Sequence, residues 1–165
     1  MYLDRHNLAC SDNQVMNKFR LQRNGKGKYR YVFVCCDLPV DCQRHDKKAT
    51  PNNDDGNGNM VYLDRHTLQC NNNFIDAFKL NREGSRKVRY NFDCCVVPDK
   101  KSCYQGTTKF DLDGGGNTVY LDRQNVACKR NYGLTYFKLN RNPARNRVQY
   151  KFECCTIKEV IPSKF

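Results

Sequence analysis

The sequence predicts an all-β fold of three tandem, disulfide-stapled modules. Three observations carry that prediction: an internal repeat, two-residue alternation within the repeated segments, and eleven cysteines in 165 residues. The repeat is the primary signal. Its copies open M-Y-L-D-R-H-N-L-A-C at Met1, V-Y-L-D-R-H-T-L-Q-C at Val61 and V-Y-L-D-R-Q-N-V-A-C at Val119. Each continues into F-R-L-Q-R or F-K-L-N-R from Phe19, Phe78 and Phe137, then closes on Y-V-F-V-C-C, Y-N-F-D-C-C or Y-K-F-E-C-C. The boundaries that follow are a first repeat over 1–42, a connector over 43–60, a second repeat over 61–103, a connector over 104–118 and a third repeat over 119–165.

Each element has a local reason. In Phe78-Lys79-Leu80-Asn81-Arg82 and Tyr90-Asn91-Phe92-Asp93-Cys94, apolar and polar residues alternate as a half-buried strand requires. Between such segments lie N-G-K-G-K, E-G-S-R-K and N-P-A-R-N, which are hairpin-turn compositions. Y-L-D-R reads as a third strand with a bend at Asp-Arg, because apolar parity shifts there from Val61 and Leu63 to Leu68 and Cys70. A short helical turn fits between Asn71 and Ala77, and no longer helix-period stripe occurs. The Gly- and Asn-rich connectors read as loops. They are long enough for two arrangements: docked modules in a row, or one closed body of pseudo-threefold symmetry, trefoil-like or prism-like.

The cysteines point to an oxidising compartment, outside the cell. Zinc sites space their ligands as C-x2–4-C with His; here the cysteines form adjacent pairs, no C-x-x-C occurs, and His6, His45 and His66 follow no ligand pattern. Strand alternation turns Cys35, Cys94 and Cys154 toward the core, where Cys10, Cys70 and Cys128 are the natural partners. The outward Cys36 and Cys95 are then expected to take Cys42 and Cys103 from the connectors that follow them. Cys155 is left unpaired, its partner lying beyond Phe165 or on another molecule. A module of under about 60 residues has little core of its own, and a bridge closing some 25 residues contributes about 3 kcal/mol. Met1 stands where Val61 and Val119 stand, and no signal-peptide core is visible, so the chain reads as a segment of a longer secreted precursor.

No constellation meets the needs of catalysis, and the expectation is a protein that is not an enzyme and takes no cofactor or metal. The four serines (Ser11, Ser85, Ser102, Ser163) lie in unrelated contexts. His6 and His66 are replaced by Gln124 in the third copy, so that position needs no titrating imidazole. D-L-D-G at Asp111 resembles the start of a calcium loop but lacks its closing Glu. No N-x-Ser/Thr sequon occurs. An Asp-Arg pair recurs as Asp4-Arg5, Asp64-Arg65 and Asp122-Arg123, with a second arginine at Arg23, Arg82 and Arg141. These residues read as structural ion pairs, or else as a ligand site used three times.

The formal charge of +12 lies on the repeats rather than the connectors, which suits acidic glycan or an anionic surface. Nucleic-acid modules and membrane-length apolar runs are absent from the sequence. Framework repeats while loops drift, and this points first to a self-associating block of an extracellular fibre, coat or matrix. The alternatives are a lectin-like or polyanion-binding module, and a basic defence protein.

Overall fold

The computed structural model describes residues 2–98 and 101–157. Among the described residues, thirteen strands form three antiparallel sheets. Repeat one supplies β1 (Asn7–Ala9), β2 (Gln14–Arg23) and β3 (Tyr29–Asp37), and the first connector supplies β4 (Arg44–Ala49) and β5 (Asn53–Asp54). Repeat two supplies β6 (Thr67–Gln69), β7 (Phe74–Glu83) and β8 (Lys87–Val96), followed by β9 (Cys103–Thr107) and β10 (Asp111–Leu112) in the second connector. Repeat three adds β11 (Asn125–Ala127), β12 (Tyr132–Asn142) and β13 (Arg147–Thr156).

The hairpins β2–β3, β7–β8 and β12–β13 form as their turn compositions predict. No short helix occupies 71–77; the chain enters β7 at Phe74, after Asn71 and Asn72 take positive φ. Asn13, Asn72 and Asn131, one per repeat, hold this left-handed turn at φ 60°, 66° and 64°. Asparagine tolerates that region better than most residues, which accounts for part of the abundance of Asn.

Y-L-D-R is not an extended strand. Leu3–Arg5, Met60–Arg65 and Thr118–Arg123 are 3-10 turns, and pairing begins only after them. Asn59 and Asn117 cap two of these turns, accepting from the N–H groups of Val61 (3.0 Å) and Val119 (3.1 Å). Three residues per turn eclipses i with i+3. The guanidinium groups of Arg5, Arg65 and Arg123 accordingly sit 4.4, 4.2 and 4.4 Å from the ring centroids of Tyr2, Tyr62 and Tyr120.

The repeats are not separate modules. β1 pairs with β7 of repeat two, β6 with β12 of repeat three, and β11 returns to β2 of repeat one. One integrated body results, in which each repeat lends its first strand to the next and the third closes on the first. The core explains why no repeat stands alone. Phe19, Phe78 and Phe137 meet with ring centroids 5.0, 4.8 and 4.9 Å apart, so each hairpin buries its central aromatic against the other two. Leu21, Leu80 and Leu139 are buried with them. Toward the cysteine pairs, Val15 and Phe74 form a second cluster with Cys95 and Cys155. There a Cβ on Gly133 would stand 2.6 Å from the Phe74 ring, which fills the space a side chain would need.

Candidate functional site

The recurrent charges are the clasps of this ring. Asp4 of repeat one meets Arg82 of repeat two (3.5 Å), Asp64 meets Arg141 of repeat three (3.3 Å), and Asp122 meets Arg23 of repeat one (3.1 Å). Arg5, Arg65 and Arg123 take no part in these three clasps and lie on their tyrosines instead. Arg123 also binds Asp111 at 2.9 Å, which holds that carboxyl below its ordinary value.

Three bridges join the early cysteine to the first of the adjacent pair: Cys10–Cys35, Cys70–Cys94 and Cys128–Cys154. Because the early strand lies on the next repeat's sheet, each staples two sheets together. The outer bridges differ from expectation. Cys42 bonds Cys95, not Cys36, and Cys103 bonds Cys155, not Cys95. Cys155 is therefore bridged and fully buried, and among the described residues Cys36 holds the free thiol. The reason is strand pairing. β4 and β5 add to β8, and β9 and β10 add to β13, so each connector lies on the repeat that follows it.

The connectors also fill a polar socket. His66 is only 1% exposed and its Nδ1 lies 2.7 Å from the hydroxyl of Thr50. Burial, then the nearby Arg65 charge, lowers its pKa. In the third repeat Gln124 occupies the same position and meets Thr108. The two threonines also bind the backbone of Tyr90 and Tyr150. Either a neutral imidazole or an amide meets the threonine, so a titrating group is not required there. The amide of Gln124 also donates to the carbonyls of Lys109 and Val148, whereas the buried His66 Nε2 has no hydrogen-bond partner among the described residues.

Among the described residues, two side-chain groups have metal-ligand types within reach of one another: Cys42, His45 and Asp76, and Cys103, Glu153 and Cys155. All three sulfurs are oxidised in the outer bridges, and a disulfide sulfur lacks the thiolate that binds metal. His45 instead contacts Asp76 at 2.5 Å. Burial raises the Asp76 carboxyl, with the imidazole opposing.

Two surfaces are left for recognition. The hairpin tips carry Lys26, Lys28, Arg30, Arg86, Lys87, Arg145 and Arg147, and each tip lies near the Arg–Tyr stack of its own repeat. Lys28 lies beside Tyr2 and Arg5, Arg86 on the Asn57 that follows Gly56 at Tyr62, and Asn146 on the Asp113 that precedes Gly114 at Tyr120. The cyclic pairing and the Phe triad set equivalent residues at one level, so the three tips point the same way. At the side, β3 has no partner on its outer edge among the described residues. Tyr2 is 60% exposed there, and Val32 and Val34 are 39% and 40% exposed. A 410 Å³ cleft lies beside Arg23, Lys28 and Arg30, next to a 390 Å³ hollow lined by Tyr2, Arg5 and His6.

Comparison with protein-family models, curated proteins and solved structures finds no match. The ten bridged cysteines belong to an oxidising, non-cytoplasmic setting. No helix among the described residues is long and apolar enough to cross a membrane.

The forward reach of the connectors was missed from the sequence, yet it has a signal there. Thr50, Asp55, Gly56 and Asn59 precede Tyr62 at the same intervals as Thr108, Asp113, Gly114 and Asn117 precede Tyr120. These residues belong to the repeat unit that follows them.

Proposed function

We propose that the chain is a secreted binding module for acidic polysaccharide, using the basic hairpin end. The observation that carries this reading is that all three hairpin tips are basic and are related to one another by the cyclic pairing of the repeats. Glu83 is the acidic residue in those turns, and it is engaged by Arg89 at 3.0 Å. Three-fold presentation of weak, solvated cations suits a repeating polyanion, since linked contacts raise avidity without any single tight pocket. The Arg–Tyr stacks hold the guanidinium groups of Arg5 and Arg65 in fixed positions against which sulfate or carboxylate can dock, while Arg123 is already engaged by Asp111.

Assembly into a fibre or coat is the second reading, favoured by the open edge of β3. It is weaker because, of the long hairpin strands, only β3 lacks a partner on one edge among the described residues. β8 and β13 are covered by connectors, and β2, β7 and β12 by the early strands.

The test is retention on a heparin column as a function of salt. Exchanging Lys26, Lys28, Arg86, Lys87 and Arg145 for Glu is expected to abolish retention at physiological ionic strength. Exchanging Lys18, Lys47 and Arg130, which lie away from the tips, should cost only the small loss that overall charge dictates. Equal losses from both sets would reduce the reading to nonspecific charge.

A further inference from the structure

Repeats two and three each hold an extended segment for which repeat one has no counterpart among the described residues. In repeat two, β4 pairs along β8 from Val96 to Asn91, and Cys42 bonds Cys95. Thr50 caps His66, Asn53 and Asp54 pair with Val88 and Lys87, and Gly56 lies against the ring of Tyr62. In repeat three, β9, the Cys103–Cys155 bridge, Thr108, β10 and Gly114 do the same for β13, Gln124 and Tyr120.

Every receiving group exists in repeat one and has no such segment on it among the described residues. The edge from Val32 to Asp37 corresponds to the edge that β4 covers. Cys36 stands for Cys95, His6 for His66, Lys28 and Tyr29 for Lys87 and Val88, and Tyr2 for Tyr62. The exposed valines, the free thiol, the exposed tyrosine and the two hollows are thus one vacated strip rather than separate features.

We infer that the open flank of repeat one is a seat for a connector-type segment leading into Tyr2, bearing a cysteine for Cys36, a strand for β3, a threonine for His6 and an Asp-Gly turn for Tyr2. Direction supports this source, because both seated connectors run straight into the 3-10 turn of the repeat they cover. A second copy fits poorly. Its Cys42 and Cys103 are already bridged. A Cys36–Cys36 bond across two antiparallel β3 strands would centre the pairing on residue 36 and leave 29–34 uncovered. This seat is independent of glycan binding, and a thiol readout tests it whether or not the chain binds heparin.

The experiment grafts a copy of residues 101–118 ahead of Met1 of the full chain and refolds it with glutathione disulfide. Bridging removes two electrons and two protons from the thiols of Cys36 and the graft cysteine, and reduces one glutathione disulfide to two glutathione thiols. The expected product has no titratable thiol, against one in the parent chain, with Cys36 linked to the graft. A folded graft in which Cys36 still titrates, or bonds a second molecule, overturns the inference. A second graft, with its Cys103 copy changed to Ser, guards against mispairing. Docking should slow alkylation of Cys36 at least tenfold, and an unchanged rate counts against the seat. Equally fast bridging by the free 101–118 peptide at micromolar concentration would overturn assignment of the seat to a segment in the same chain.

Discussion

Repeat one and repeat two share a framework but differ in what covers their outer edge. β8 carries β4, β5, a disulfide and a threonine-capped histidine. β3 presents exposed valines and a free thiol. Edge protection is therefore supplied by the connector and not by the hairpin itself, which explains how near-identical hairpins end with different exposure.

The largest expected difference lies in the bridges. Replacing Cys103 with Ser together with Cys155 with Ala opens a link spanning 52 residues and should cost about 4 kcal/mol in the chain-entropy model. Cys36→Ser should leave urea unfolding within about 0.5 kcal/mol of the parent, as expected for a site with no bridge. Comparable losses would break the comparison.

Glycine substitutions sharpen it next. Gly114→Ala puts a methyl 2.3 Å from the Tyr120 ring at φ +59° and should cost about 2–3 kcal/mol, combining steric overlap with left-handed strain. Gly27→Ala, at φ +69° in open space, should cost only the strain, about 1 kcal/mol. Thermal melts of the two variants give the contrast.

The polar socket gives a smaller effect. Thr50→Val leaves the buried His66 Nδ1 without its partner, for a loss of about 1–2 kcal/mol, whereas His6→Ala should change stability by less than about 0.5 kcal/mol.

A pH dependence is the finest test. The His66 pKa is lowered from 6.5 on folding, so the unfolded chain binds the proton more readily. Its contribution is complete above the unfolded value and is lost as pH falls below 6.5 toward the lowered folded value. His66→Gln, copying Gln124, should remove that part of the acid slope in urea titrations between pH 7 and 5.

Much of the fold was legible because it follows from local rules. Alternation about Phe78 and Tyr90, turn residues at the tips and core-facing Cys35, Cys94 and Cys154 are all short-range signals. Two features were not local. Alternation makes Phe19, Phe78 and Phe137 core residues, but nothing in it says that the three meet one another and close a ring. The outer cysteines misled because chain proximity favours Cys36 with Cys42, whereas strand pairing carries Cys42 across to Cys95. The Asp–Arg clasps were readable as ion pairs in kind, but their cyclic exchange of partners needed the ring. The basic tips were visible as charge, and their shared direction was not.

One labelling experiment decides whether each connector bridges forward to the repeat that follows it. The native protein is treated with N-ethylmaleimide under mild denaturation at low pH, then reduced, capped with iodoacetamide and digested with trypsin. Forward bridging puts maleimide on the peptide containing Cys35, Cys36 and Cys42, at Cys36. Maleimide on Cys155, in the peptide Phe152–Lys158, would contradict it and return each connector bridge to the repeat that precedes it.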